Sequence, residues 1–204
     1  YIYRVQITEK YFLNFADSGP SPGMSGNLIY RFGKDINDRM MMEFGSFYAR
    51  NRTSRTGSHY FRHLFALFNQ QEIQETPKKI PLLKDVWLPD IQIMAARDSE
   101  ASIKGFYLGA KGGTNDESHN HNDIVNYVVY FDGQPVIIDI GNGTYTARTF
   151  GGGRYSLWFN CSDYHNLPTI NGKTQSPGHL YKADDVTYHA NKSAANFTLN
   201  LAHA

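Results

Sequence analysis

Apolar positions along this chain change rhythm near residue 80. Before that point they recur three and four residues apart, the period of one helix face. In 36–50 the stripe is Met40, Met41, Phe44 and Phe47. In 58–68 it is Phe61, Leu64, Phe65 and Phe68, with Ser58 placed to cap it. Residues 1–13 and 23–32 combine mixed apolar spacing with good helix formers. They read as two more helices, separated by the breaker Ser18-Gly19-Pro20-Ser21-Pro22-Gly23.

Beyond Thr76-Pro77-Lys78-Lys79-Ile80-Pro81, a linker-like stretch, the apolar runs shorten and alternate. Segments 92–96, 103–110, 124–131, 136–140, 181–190 and 196–202 read as strands. Val128, Val136 and Ile138 are expected in their core. Asp132-Gly133 between Phe131 and Gln134 predicts a tight hairpin, because both turn positions need positive φ; Asn171-Gly172 predicts a second turn. The expected fold class is α+β: a helical segment over 1–80, then an antiparallel β-sandwich over 81–204.

The net charge is only +1 and the basic residues are balanced by acidic ones, which argues against a nucleic-acid partner. No apolar run is long enough to cross a bilayer, so no membrane insertion is expected. Cys161 is the single cysteine. The chain opens Tyr1-Ile2-Tyr3-Arg4, with neither Met nor a signal-like stretch, and reads as a piece of a longer protein. Tyr and Phe are plentiful, a composition found in β-rich and sugar-binding proteins.

Candidate chemistry centres on Ser118-His119-Asn120-His121-Asn122-Asp123. In an extended chain, side chains two apart point the same way, so His119 and His121 would face one site. Asp139 is a lone charge in the apolar run Val136-Ile137-Ile138-Asp139-Ile140, and such a charge needs a partner. The hairpin at Asp132-Gly133 would bring it close to His121. Ser162-Asp163-Tyr164-His165-Asn166 offers another imidazole. Two imidazoles and a carboxylate form a common zinc set. The competing reading is unrelated surface histidines and a turn aspartate.

Taken together, His119-Asn120-His121-Asn122-Asp123, Asn126-Tyr127-Val128-Val129-Tyr130, Gly133-Gln134-Pro135-Val136-Ile137-Ile138-Asp139-Ile140-Gly141 and Tyr164-His165-Asn166 resemble the heparinase II/III-like polysaccharide lyases. The resemblance is strongest over 112–172. It implies the end of an (α/α) toroid joined to a β-sandwich. It implies that His119 faces substrate, that His121, Asp139 and His165 hold a metal, usually zinc, and that Tyr155 contacts substrate. A core aromatic on a strand is the other reading of Tyr155. The resemblance further implies an acidic polysaccharide substrate, such as a heparin-like glycosaminoglycan or alginate, and a periplasmic or secreted location. The family's toroid Tyr would lie upstream of Tyr1, so the isolated piece is expected to be inactive.

Such lyases cut by β-elimination, where the obstacle is the weakly acidic proton beside the uronate carboxylate. A base near neutral pH and neutralisation of that carboxylate lower the barrier. The basic stretch Arg50, Arg52, Arg55, His59, Arg62 and His63, interleaved with Tyr48, Tyr60 and Phe61, offers an anionic-glycan contact or a solvated helix end. Two other classes compete: a non-catalytic carbohydrate-binding sandwich with a structural metal, and a zinc hydrolase. The chain has no HExxH pattern for the latter.

Overall fold

The computed structural model describes residues 2–51 and 60–204, with the backbone alone at 51, 62 and 63. Among the described residues four helices come first: α1 (Gly26–Asp35), α2 (Arg39–Asn51), α3 (Tyr60–Phe68) and α4 (Gln70–Glu75). Nine strands follow: β1 (Asp85–Leu88), β2 (Ile93–Arg97), β3 (Phe106–Lys111), β4 (Thr114–Asn115), β5 (Tyr127–Phe131), β6 (Gln134–Ile137), β7 (Gly178–Lys182), β8 (Asp184–Ala190) and β9 (Ala195–Asn200). All the strand pairs are antiparallel: a sheet in the order β1-β2-β3-β5-β6, and the two-stranded pairs β4-β7 and β8-β9. The molecule is α+β, with a sandwich-like β part.

Of the helix expected over 1–13, the described residues 2–13 form only one short turn. A short 3-10 turn (Ile2–Val5) gives way to extended chain that doubles back through a Gln6–Phe12 bridge. The reason is a divided allegiance. Tyr3 and Phe12 enter the helical core with Met24, Met41, Phe44 and Tyr48. Ile7, Leu13 and Phe15 enter the sheet core with Val86, Ala95, Tyr107, Val128 and Tyr130. A helix would put its apolar residues on one face, whereas this segment serves two cores. Arg97 fastens it. Its buried guanidinium donates to the carbonyls of Gln6 and Ile7, and to those of Leu83 and Ser102.

Within the helices, α1 and α2 approach backbone to backbone. A Cβ on Gly26 would lie 2.0 Å from the Ala49 amide nitrogen, and one on Gly45 would lie 2.4 Å from that of Tyr30. The buried stripe of α2 is Met41, Phe44 and Tyr48; Met41 and Phe44 lie where expected, Phe47 packs at the edge of the same core, and Met40 is exposed. The expected stripe of α3 is also not buried: Phe61, Leu64, Phe65 and Phe68 are all exposed. The periodicity marked an apolar face, but among the described residues little covers it beyond the Arg31 guanidinium over the Phe65 ring. Ser58 lies outside the described residues, as do Arg52, Arg55 and His59 of the basic stretch. Arg50 caps the carbonyls of Gln74 and Thr76, and Tyr48 is core.

Both predicted turns form, with Asp132 and Gly133 at φ 49° and 73°, and Asn171 and Gly172 at 54° and 67°. The sheet's inner face carries Val128, which is fully buried; Val136 and Ile138, expected beside it, are 60% exposed. A register shift between β5 and β6 accompanies that change, and β6 ends at Ile137. On the outer face the β8-β9 hairpin covers one end, where Tyr188 stacks on Trp87 at 5.4 Å.

Candidate functional site

The site is built from irregular chain at one end of the sheet. Residues 118–123 are turn and coil, not a strand, and His119 has φ 59°. Positive φ is uncommon outside glycine and marks a backbone held by its surroundings. The two histidines are therefore not presented by simple alternation. His121 is fully buried, while the His119 side chain is 56% exposed.

What brings them together is a residue absent from the sequence reading, Asp17. Its buried carboxylate accepts from four side chains. Oδ2 takes His119 Nδ1 and the Tyr145 hydroxyl, both at 2.8 Å. Oδ1 takes His121 Nε2 at 2.9 Å and Arg154 Nη2 at 3.1 Å. Burial alone would push this carboxyl up. The donations from Tyr145, His119 and His121, with the Arg154 charge, outweigh it and hold the group below the ordinary 3.8. Burial likewise pushes His121 below its usual value, against the pull of Asp17.

Asp139 lies deeper. Burial would raise its carboxyl too, but the His165 bond and charge, the Asn126 amide and the Gly141 backbone keep it low. His165 Nδ1 meets Asp139 Oδ2 at 2.7 Å, and the His165 and His121 rings are 5.2 Å apart. Asp139 thus reaches His121 by way of His165. Asn166 ties this loop to the sheet: its amide group donates to the carbonyls of Tyr127 and Ile138, and its backbone N–H to Asn126 Oδ1. Gln175 plugs the other side, bonding both backbone groups of Ile124 and accepting from Asn115. Behind His119, buried Lys111 donates to Asp123 at 2.8 Å and to Glu117 at 3.4 Å.

Among the described residues two ring nitrogens in this interior have no partner, His121 Nδ1 and His165 Nε2. Each belongs to a ring whose other nitrogen meets a carboxylate, the arrangement common to metal-bound histidines. The donor chemistry therefore fits a zinc-like cation. Among the described residues no group of three or more His, Cys, Asp or Glu is gathered in metal-holding geometry, and Asp139 and His165 are bonded directly to each other.

The exposed side of His119 opens on a cleft of about 340 Å³, lined also by Asn120, Phe150, Arg154 and Tyr155. Tyr155 lies on a 3-10 turn (Arg154–Ser156) and is partly buried, so it is neither on a strand nor in the core. Its hydroxyl accepts from Asn120 Nδ2 at 3.2 Å, which leaves its own proton free to donate. Arg154 is turned inward, onto the carbonyls of Asn120 and Thr149 as well as Asp17. Two larger hollows, about 400 and 480 Å³, lie elsewhere and are lined by no histidine.

Sequence reasoning passed over Asp17, Tyr145, Asn126 and Arg154 as site residues. Asn126 stood within a quoted motif and Arg154 beside Tyr155; Asp17 stood just before the Gly/Pro-rich breaker with no local signal. No helix among the described residues is long and apolar enough to cross a membrane. No curated protein matches the chain. The heparinase II/III-like C-terminal family model matches residues 85–200, more than half of the chain, spanning both histidines of the 118–123 loop, Asp139 and His165. The chain belongs to the heparinase II/III-like family, a family of polysaccharide lyases.

Proposed function

We propose that this chain supplies part of an active site that cleaves uronic-acid-containing polysaccharides by β-elimination. The observation that carries the reading is His119: a solvent-facing imidazole in a cleft, held from behind by a buried carboxylate and set beside the free hydroxyl proton of Tyr155. In the reaction a base takes the proton on the carbon next to the carboxylate. The bond to the leaving oxygen breaks, that oxygen takes a proton, and a carbon–carbon double bond forms. An imidazole works as acid or base near neutral pH, and a tyrosine hydroxyl donates to an oxygen that is gaining charge. His119 and Tyr155 take these parts together with a Tyr contributed by the toroid. Helices α1 to α4 then belong to the last turns of that toroid, and a polymeric substrate fits an enzyme of the periplasm or the cell exterior.

Zinc is the proposed resident ion, held by His121, Asp139 and His165. When bound it supplies a fixed positive charge that orders the loops around the cleft. The unpartnered nitrogens of His121 and His165 support that assignment. Metal analysis of purified full-length protein should find about one zinc per chain. Chelation should raise amide exchange in 140–146 and 160–167, which share Asp139 and His165 as their tie; unchanged exchange on metal removal counts against it.

Activity is tested by incubating full-length protein with heparin, heparan sulfate, chondroitin, hyaluronan and alginate while following the ultraviolet absorbance of the unsaturated product. A rise with one of them is expected. Binding without any rise favours a non-catalytic sugar-binding sandwich.

A further inference from the structure

The two histidines of the 118–123 loop present opposite nitrogens to one carboxylate: Nδ1 of His119 faces Asp17 Oδ2, and Nε2 of His121 faces Asp17 Oδ1. Arg154 and Tyr145, the other donors to Asp17, have no acceptor role in those contacts. An ionised carboxylate only accepts. Each ring nitrogen facing it must therefore carry the proton, and the opposite nitrogen of a neutral ring must carry the lone pair.

We propose that Asp17 is the positioning residue of this site, and that it imposes opposite tautomers on His119 and His121. His119 is held as the Nδ1–H form, with the Nε2 lone pair on the cleft side. His121 is held as the Nε2–H form, with the Nδ1 lone pair in the buried interior, where it has no protein partner. One carboxylate thereby makes one ring an acceptor for protons at the surface and its neighbour an electron-pair donor inside. The strap that carries Asp17 is built for this. Ala16 before it takes φ 53°, and Phe15 anchors in the sheet core. The carboxylate bridges more than a hundred residues of sequence to reach both rings.

The inference deepens the lyase reading and rests on it for its catalytic consequence, but its test needs neither substrate nor metal. Ring-15N histidine is incorporated into the full protein, and long-range proton–nitrogen correlations are read at a pH where the histidines are neutral. Expected is a pyridine-type Nε2 for His119 and a pyridine-type Nδ1 for His121. Asp17→Asn offers one acceptor and one donor in place of two acceptors, so at least one of the two rings should switch tautomer. His165, which leans on Asp139, serves as the internal control and keeps its pattern. The same variant should lose about 10- to 100-fold in kcat. An Nε2–H tautomer on His119 in the unaltered protein overturns the proposal. So do unchanged tautomers of both rings in folded Asp17→Asn and Asp17→Ala. Should both variants unfold, the pattern in the unaltered protein decides alone. A protein with the expected ring pattern and no lyase activity would sink the lyase reading and leave the assignment of Asp17 standing.

Discussion

The α1–α2 pair and the loops around His121 are both closed to solvent, yet their interiors differ in kind. Between the helices the contact is Gly26 and Gly45 against backbone, with Met41, Phe44 and Tyr48 filling the remainder. Around His121 most of the buried residues are polar, among them Asn120, Asn122, Asp123, Asn126, Asp139, Asn160, Ser162 and His165, with Ile124 and Phe159 beside them. Apolar packing is non-directional and forgiving in detail, whereas a buried polar group is stable only with its partners in place. The first interior holds a shape. The second holds particular atoms at particular points, as a reaction centre requires, and leaves a few of them unpartnered.

That contrast can be broken at several points. The largest effect should come from His119→Ala in the full-length protein. Turnover should fall by about 10²- to 10⁴-fold, the range for losing an acid/base group, while melting temperature and metal content stay put. A matching fall in metal content would move His119 from the reaction to the support of His121.

Next in size is Lys111→Met, which leaves Asp123 charged and buried. Denaturant unfolding should show a loss of about 3–5 kcal/mol, and pairing the change with Asp123→Leu should recover much of it. No recovery would mean that Asp123 serves the loop through Asn126 more than through Lys111.

Gly45→Ala probes the other interior. The new methyl meets the Tyr30 backbone, so about 1–3 kcal/mol should be lost with lyase activity per folded molecule unchanged. An activity loss out of proportion to stability would show that the two interiors are coupled.

Acid should produce the mildest and most local effect. Asp17 and Asp139 both have folded values below the ordinary 3.8, so the stability they add is complete above that value and is lost as pH falls through the lower folded ones. Hydrogen exchange should rise in the His119 and His165 loops at a pH where α1 and α2 are still protected. Simultaneous loss in both regions would contradict a separate polar interior.

How much of this was legible in sequence followed the range of the forces involved. The turns at Asp132-Gly133 and Asn171-Gly172 are local chemistry and formed where expected. In α2 the expected Met41 and Phe44 are buried and Met40 is not, since spacing does not choose between adjacent residues and their neighbours do. Residues 1–13 were misread because a segment shared by two cores has no single period. Val136 and Ile138 were misplaced because a register shift breaks the alternation that assigns faces. His119, His121, Asp139, His165 and Tyr155 stood out by residue type and motif; they fall in two hydrogen-bonded groups, one around Asp17 and one around Asp139, with the His121 and His165 rings 5.2 Å apart. Asp17 gave no signal, because a contact over about a hundred positions leaves no trace in spacing.

The doubled-back strap at the start of the chain has a consequence for dissection of the molecule. Residues 76–81 look like a place to cut, but the chain has already crossed from one core to the other before it reaches them. A clip there would leave two pieces held together by Ile7, Leu13 and Phe15 in the sheet core and by the Arg97 clamp. The strand half expressed alone would present Arg97 without the carbonyls of Gln6 and Ile7, and His119 and His121 without Asp17. Such a half should bind a separately made peptide spanning the strap and recover its ordered loops, so that the natural seam of this protein runs after the strap rather than through the proline-rich linker.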